Sequence, residues 1–264
     1  MNYTTLTSLD NLFVAWQEFR KGKKRKTDVL IFERHLEDNI FNLYQELKNK
    51  TYKHGDYESF YVHDPKRRHI HKASVRDRVV HHLLYTYLYK LFDKTFIVDS
   101  YSCRLDKGTH KAVNRLEDFT RKVSKNFTCD CWVLQCDIAK FFTSVDHIVL
   151  KKLLFKKIPD LDILWLLSNV IDSFNTDTEQ GIPLGNLTSQ VFANIYLNEL
   201  DYFIKHSLRI KYYLRYADDF VIISKNKDQL QNYIPLLREF LVSLKLTLHP
   251  KKITIRKLSW ELIF

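Results

Sequence analysis

Apolar residues recur at helical spacing through the first third of the chain. In the first twenty residues they share one face of a helix and comprise Leu6, Leu9, Leu12, Phe13, Trp16 and Phe19. A second set over residues 32–47 and a third over residues 74–92 repeat the spacing. Each set predicts an amphipathic helix whose apolar face packs on a core.

Shorter apolar runs predict strands. Residues 57–62 alternate between apolar and polar, residues 64–66 suit a turn, and residues 67–71 suit a returning strand, so a hairpin with basic side chains is expected here. Residues 131–138 are apolar enough for a buried central strand that ends near Asp137. An unpaired carboxylate at the end of a buried strand is costly, which marks Asp137 for attention.

Two adjacent aspartates separate two apolar segments later in the chain. Asp218 and Asp219 lie within residues 211–224, flanked by Tyr, Leu, Val and Ile, which predicts a β-hairpin with both acids at its tight turn. Two carboxylates about 4 Å apart repel by roughly 4 kcal/mol at an effective dielectric of 20. A bound divalent cation would offset that repulsion, although an ordinary Asp-Asp turn is the alternative interpretation.

The remaining pattern completes an α+β fold. Helical spacing continues over residues 112–119, 161–171, 193–204 and 230–244, and residues 253–255 suit a short strand. The later elements predict the order βααββαβ around a small antiparallel sheet. If the first of these strands lies beside the hairpin, Asp137, Asp218 and Asp219 converge at one sheet edge. Hard oxygen ligands of this kind suit Mg²⁺, and two such ions would serve an in-line phosphoryl transfer.

Composition narrows the class of protein. The chain has 264 residues, 45% of them hydrophobic, which is enough for a large core. Its net charge of +11 favours a polyanionic partner over a membrane. Its four cysteines do not have zinc-knuckle spacing, and no secretory leader or transmembrane helix fits the N-terminus, so we expect a cytoplasmic protein with structural thiols. The basic run over residues 20–26 suits either a solvated loop or phosphate contact.

A glycine-containing loop precedes the helix at residues 193–204. Gly181 and Gly185 are two of the chain's five glycines, which predicts a backbone that turns sharply or lets a ligand approach closely. Thr188 or Ser189 is expected to cap the helix, whose free N–H groups would then suit a phosphate or a base. A capped helix after an ordinary loop is the alternative.

Two short motifs resemble those of the reverse transcriptases. Tyr216-Ala217-Asp218-Asp219 is similar to that family's Tyr-x-Asp-Asp box, and residues 135–142 are similar to its first catalytic motif. The glycine loop lies between them, with Arg67-Arg68-His69-Ile70 and Val75-Arg76-Asp77-Arg78 upstream, so the similarity covers nearly all of residues 57–257.

The resemblance implies a right-hand polymerase with fingers and palm. The implied divisions are an N-terminal helical and basic extension at 1–56, fingers at 57–130, a palm at 131–257 with part of the fingers inserted between about 144 and 180, and a truncated start of the primer grip and thumb at 258–264. The implied partners are template RNA, primer or cDNA, and deoxynucleotides.

The resemblance also assigns residue roles. It implies Asp137, Asp218 and Asp219 as catalytic ligands of two Mg²⁺ ions, with Mn²⁺ as an alternative and the Ile138 carbonyl completing one metal shell. Residues implied to meet the nucleotide are Arg68, Arg76, Arg78, Phe142, Leu184, Gly185 and Gln190, with Phe142 as the steric gate against a ribose 2′-hydroxyl. Residues implied to contact nucleic acid are Lys23, Lys24, Arg25, Arg104, Lys251 and Lys252.

The glycine loop points to a subgroup. Many relatives carry Pro-Gln-Gly here, whereas this chain has Pro183-Leu184-Gly185, and Leu184-Gly185-x-x-x-Ser189-Gln190 resembles the enzymes of diversity-generating retroelements, which copy RNA with errors at adenines. An aliphatic side chain cannot make the hydrogen bonds of an amide, so loosened base selection is expected.

Departures from the family pattern keep other interpretations open. Ser100-Tyr101-Ser102-Cys103-Arg104 only roughly matches the usual Ser-Tyr-Gly-Phe-Arg, and residues 258–264 replace the primer grip and helical thumb. The resemblance allows for a basic helical accessory protein, which would compensate for weak primer binding. The alternatives are a group II intron, retron or phage-defence type of reverse transcriptase, or a catalytically silent nucleic-acid-binding scaffold.

Overall fold

The structure is a computed structural model that describes residues 1–63, 66–176 and 179–258. The turn predicted at residues 64–66 lies mostly outside these ranges, and so does the predicted thumb remnant, except for Leu258. In chain order the elements are α1 (Tyr3–Leu6), α2 (Leu9–Arg20), α3 (Thr27–Arg34), α4 (Leu36–Lys48), β1 (Glu58–His63), β2 (Arg67–Lys72), α5 (Val75–Phe92), α6 (Thr109–Ser124), β3 (Trp132–Asp137), α7 (Phe141–Ser144), α8 (His147–Phe155), α9 (Leu161–Asp172), α10 (Leu187–Tyr202), β4 (Tyr213–Tyr216), β5 (Asp219–Ser224), α11 (Lys227–Ser243) and β6 (Thr254–Lys257).

The chain divides into two compact units. The first comprises Met1–Lys94 and His147–Phe192, and the second comprises Thr95–Asp146 and Ala193–Phe264. Each unit is therefore built from two separate stretches of sequence. The boundaries expected for fingers and palm stay a prediction.

Two helices predicted from apolar spacing are each divided in the first unit. The helix expected over residues 1–20 is α1 followed by α2, because Ser8 has an extended backbone and its hydroxyl accepts from the Asn11 N–H at 3.4 Å, which starts a new helix. The helix expected over residues 32–47 is interrupted at His35, whose φ of −126° and ψ of 44° are not helical. Apolar spacing continues across both breaks and therefore conceals them.

The glycine loop in the first unit is bound to the strand β2. β1 and β2 form the predicted antiparallel hairpin. The His71 N–H donates to the Leu184 carbonyl at 2.8 Å, and the Asn186 amide donates to the His71 carbonyl at 2.7 Å. Gly185 has a φ of +118°, and a Cβ there would lie 2.7 Å from Ile70 Cγ2. Both observations explain why a glycine is needed where the loop meets the strand.

The second unit contains a four-stranded antiparallel sheet in the order β4-β5-β3-β6. The strand ending in Asp137 thus lies beside the hairpin. The expected order had two helices between them, which was wrong: the four helices α7–α10 intervene. Helix α7 has only four residues, too few to give a periodic pattern.

Helices cover both faces of this sheet. Ile222 and Ile223 on β5 point to opposite faces, and both are buried. Ile223 belongs to an apolar cluster with α6, whose members are Tyr101, Ala112, Phe119, Val123, Cys131, Leu214 and Ile223. Helix α11 packs on β3, β5 and β6. The sheet is therefore a rigid platform for the residues at its ends.

The cysteines divide by burial. Cys131 and Cys136 are buried in or next to β3, whereas Cys103 and Cys129 are exposed, and all four are free thiols. Burial raises the pKa of Cys131 to about 11 and that of Cys136 to about 12. In the described part of the chain, none of the helices is both long enough and apolar enough to cross a membrane.

Replacing Gly185 by alanine tests the packing of the glycine loop, and Gly108 supplies a matched control. Gly108 has nearly the same φ, +116°, but a Cβ there meets no atom within 4 Å. Both Gly→Ala variants carry the backbone strain, whereas only Gly185→Ala also meets Ile70. We expect Gly185→Ala to lower the free energy of unfolding by about 1–3 kcal/mol more than Gly108→Ala does. Urea denaturation of both variants measures this, and equal losses would contradict it.

Candidate active site

The three aspartates predicted from the sequence lie at the same edge of the four-stranded sheet. β3 ends at Asp137 and β5 begins at Asp219, and the antiparallel register pairs these two residues directly. β4 and β5 pair Tyr216 with Asp219, so Asp218 occupies the two-residue turn between them. Asp137 and Asp219, 82 positions apart in the sequence, thereby become cross-strand neighbours, whose side chains lie within contact of each other.

The charges in this cluster oppose one another. Burial and then the charge of Asp137 raise the pKa of Asp218. Burial, Asp137 and Asp218 together raise the pKa of Asp219. Lys252 acts in the opposite direction on both carboxyls. The cluster is therefore short of positive charge, the condition under which a cation binds favourably.

Lys252 supplies the protein's own cation to this cluster. Its Nζ donates to Asp137 Oδ2 at 2.6 Å. The resemblance implies that Lys252 contacts nucleic acid, and that role stays a prediction. Lys251, its neighbour, is exposed.

The main chain on the far side of Asp137 is also fixed. The His249 N–H donates to the Asp137 carbonyl at 2.8 Å, and the Ala139 N–H donates to the Thr247 carbonyl at 2.9 Å. These bonds continue the sheet past the end of β3 and leave Asp137 little freedom to move. Ile138, whose carbonyl was implied as a metal ligand, lies between these two bonds and is buried.

Phe142, the implied steric gate, lies in α7 just after a change of chain direction that follows β3. Lys140 has a φ of +47°, and the short helix α7 follows. Phe142 is half-buried, with its ring centroid 5.5 Å from that of Phe141. It lies five residues after Asp137 and belongs to the same unit.

The arginines implied to meet a nucleotide lie in the first unit. Arg68 is exposed on β2. Arg76 pairs with Glu46 and Asp77, and Arg78 pairs with Asp28. Arg76 and Arg78 thus already stabilise the unit through ion pairs. Roles for all three arginines in nucleotide binding stay predictions.

The glycine loop places its polar residues differently from the predicted cap. The Ser189 hydroxyl donates to the Pro183 carbonyl at 2.6 Å, and the Thr188 hydroxyl lies 2.6 Å from His81 Nδ1. Both side chains therefore hold the loop and a buried histidine. Leu184 is half-buried, and Gln190 is exposed on the first turns of α10.

Of the other basic residues implied to contact nucleic acid, some are exposed and others bond to the protein's own backbone. Lys24 and Arg25 are exposed, while Lys23 donates to the Phe19 carbonyl at 2.9 Å. Arg104 donates to the carbonyls of Ile97 and Ser100 and so stabilises its own loop. Contacts of these residues with nucleic acid stay predictions.

A buried ion pair next to the turn was not predicted from the sequence. Arg215 and Asp201 are both fully buried and form a bidentate pair, with nitrogen to oxygen distances of 2.7 and 2.8 Å. Arg215 directly precedes the Tyr-Ala-Asp-Asp box, yet its strand pattern gave no sign of burial. The signal that could have identified Arg215 is its position, a charged residue directly before the Tyr-Ala-Asp-Asp box.

The donor set fits a hard divalent cation. The side chains are carboxylates, and their mutual repulsion leaves the cluster short of positive charge. Within the residues that the structure describes, no three His, Cys, Asp or Glu side chains are grouped so that they could hold a metal ion. Mg²⁺ does not require such a cage, since it usually binds through one or two carboxylates and completes its shell with water and substrate phosphates. That Asp137, Asp218 and Asp219 hold such an ion stays a prediction.

Comparison with protein families gives one match across most of the chain. Residues 53–262 match the family described as "Reverse transcriptase (RNA-dependent DNA polymerase)".

Individual relatives have low sequence identity to this chain. The group II intron-encoded protein LtrA of Lactococcus lactis subsp. cremoris is 24% identical over 214 residues, which cover 76% of this chain and 35% of that protein. Protein YkfC of Escherichia coli (strain K12) is 27% identical over 244 residues, covering 75% of this chain and 62% of that protein. The chain thus spans less than two thirds of the length of either.

A solved structure shares the fold. The apo telomerase of Candida tropicalis, truncated from its C-terminal domain, superposes with a TM-score of 0.57 at 13% sequence identity. The alignment covers 85% of this chain and 56% of that one. At this identity the similarity concerns the fold alone.

Removing one carboxylate charge should stabilise the protein in the absence of metal. For Asp219→Asn in EDTA at neutral pH, we expect the free energy of unfolding to rise by a few tenths of a kcal/mol, roughly 0.2–1, because repulsion from Asp137 and Asp218 is relieved while solvent screens part of it at this exposed position. The increase in melting temperature that Mg²⁺ causes in the parent should shrink in this variant. Thermal denaturation with EDTA and with Mg²⁺ measures both effects.

Asp228→Asn is the control for that measurement. Asp228 is exposed in the first turn of α11, where a negative charge is favourable. The control should lose about 0.3–1 kcal/mol and keep the full response to Mg²⁺. A destabilised Asp219→Asn variant in EDTA would contradict the expectation.

Proposed function

Because the chain belongs to the reverse transcriptase (RNA-dependent DNA polymerase) family, we propose that it is an RNA-directed DNA polymerase that extends a primer with deoxynucleotides along an RNA template. Enzymes with this activity are nucleotidyltransferases. The observation that supports the proposal most directly is the register that pairs Asp137 with Asp219 and leaves Asp218 in the adjoining turn.

The reaction needs a cluster of carboxylates held at fixed positions. Two Mg²⁺ ions, or Mn²⁺ in their place, would supply Lewis-acid activation of the attacking oxygen and charge neutralisation at the leaving pyrophosphate. In this proposal Asp137 and Asp218 hold the ions, Asp219 supports them less directly, and the Ile138 carbonyl adds one ligand. The sheet pairing on both sides of Asp137 keeps these groups in place without the metal.

Other residues provide selection and binding. We assign Phe142 to the exclusion of a ribose 2′-hydroxyl. Arg68 is assigned to the triphosphate, where a guanidinium makes bidentate contacts. The run that includes Lys23, Lys24 and Arg25 is assigned to template phosphates, which is consistent with the net charge of +11.

The test is primer extension on an RNA template with Mg²⁺. We expect the parent to extend the primer and Asp218→Asn to lose about 100-fold or more in rate, because a ligand of the reacting centre is removed. Asp228→Asn, which removes an exposed acid, should extend the primer like the parent. RNA binding with steep salt dependence but no extension by the parent would favour the nucleic-acid-binding scaffold instead.

The biological class of the enzyme has two candidates. Pro183-Leu184-Gly185 and the Ser189-Gln190 that follows support an error-prone enzyme of a diversity-generating retroelement, aided by a basic helical accessory protein. The similarity to LtrA supports a group II intron type instead. We favour the retroelement because Leu184 lacks the amide of the usual Pro-Gln-Gly sequence, and copying errors at template adenines would distinguish it.

Leu184→Gln tests the link between this loop and fidelity. If the missing amide loosens base selection, the variant should make fewer errors opposite template adenines, with a total rate of extension similar to that of the parent. Sequencing of cDNA from a defined template gives the error spectrum. Leu187→Gln is the control, since Leu187 is also half-buried and lies three residues away. Equal spectra for the parent and Leu184→Gln would contradict the proposal.

A further inference from the structure

A buried charge lies directly beneath the Asp218-Asp219 turn. Arg215 is on β4, and its side chain has no exposed surface. Its partner Asp201, near the end of α10, is equally buried. Burying two ions costs a large desolvation energy, and apolar residues of similar size are often as stable. The pair therefore calls for an explanation beyond core stability.

All five N–H donors of the guanidinium are engaged. Two bond to the carboxylate of Asp201 at 2.7 and 2.8 Å, one to Ser100 Oγ at 3.1 Å, one to Asn194 Oδ1 at 3.2 Å and one to the Ala217 carbonyl at 2.9 Å. Only the rigid fork of an arginine reaches this many acceptors at once. The last of these acceptors belongs to the turn itself.

The acceptors around Arg215 are fixed by bonds of their own. The Tyr213 hydroxyl donates to Asp201 Oδ1 at 2.6 Å. The Asn194 amide donates to the Ser102 carbonyl at 3.0 Å, which orients its oxygen toward Arg215. The guanidinium thus occupies one position, and the bond to Ala217 starts from a rigid point.

The turn that receives this bond has an unfavourable backbone. Ala217 has a φ of +54°, in the left-handed region that side chains disfavour. Hairpin turns with positive φ at this place usually contain glycine. Ala217 is followed at once by Asp218, so the orientation of its carbonyl determines the direction in which the next residues leave the turn.

We propose that Arg215 is a positioning residue, which holds the Ala217 carbonyl so that the left-handed turn presents Asp218 and Asp219 toward Asp137 and their metal. Asp201, Asn194 and Ser100 act through Arg215 by fixing its guanidinium. This inference rests on the proposed function and adds a part of the protein that supports the carboxylates without touching substrate.

The experiment separates positioning from core stability with two variants. Arg215→Met/Asp201→Leu removes both buried charges, so no uncompensated ion is left in the core. Arg215→Lys keeps a charge to pair with Asp201 but lacks the fork that reaches Ala217 at the same time. Tyr196→Phe is the matched control, because it removes a buried tyrosine bond in the same unit, to the Leu244 carbonyl, and leaves every bond of Arg215 intact.

Two readouts are measured for each variant beside its melting temperature. The first is kcat and KM for primer extension. The second is Mn²⁺ affinity of the free protein, followed by electron paramagnetic resonance, which needs no polymerase activity. We expect kcat to fall about tenfold or more with KM for the template–primer within about twofold of the parent. Mn²⁺ should bind about tenfold more weakly. Tyr196→Phe should keep the parental values.

Each outcome decides the inference. If either folded Arg215 variant keeps both the parental kcat and the parental Mn²⁺ affinity, the pair only stabilises the core and the proposal is overturned. A lower kcat with unchanged Mn²⁺ affinity also overturns it, since the carboxylates would then still be in position. If the parent itself extends no primer, the proposed function fails, and the Mn²⁺ measurement alone decides the role of Arg215.

Discussion

The antiparallel pairing of β3 with β5 is the constraint on which this protein's chemistry depends. It brings Asp137 opposite Asp219 although their charges repel. Hydrogen bonds along the ladder, together with helices packed on both faces, outweigh a repulsion that would otherwise separate these side chains. The result is a cluster of mutually repelling carboxylates, whose negative charge Lys252 neutralises in part.

In the first unit, too, the fold brings together charged residues that are distant in the sequence, here with opposite signs. Arg76 and Arg78 pair with Glu46 and Asp28, which are far from them in sequence. The glycine loop is held to β2 through main-chain and amide bonds, and Gly185 fits where no side chain would. Arginines that resemble ligand-binding residues in sequence thus already have structural partners, and only Arg68 among the three remains exposed on its strand.

Sequence periodicity predicted the elements that have one apolar face. Helix α5, the strand β3 and the Asp-Asp hairpin all follow from local pattern. The breaks at Ser8 and His35 do not, because apolar spacing continues across them. The aspartates were recognisable because acids at the ends of apolar strands are costly without a role. Arg215 was not, since its burial depends on Asp201, Asn194 and Ser100, which only the folded chain assembles.

The distribution of the thiols has a practical consequence for work in solution. Cys103 and Cys129 are exposed, whereas burial keeps the other two thiols protonated at neutral pH. Thiolate is the reactive form, so maleimide dyes or nitroxide labels would attach at the two exposed positions of the parent protein without prior mutagenesis. Both lie in the same compact unit as the sheet, which offers a pair of reporters for following that unit by spectroscopy.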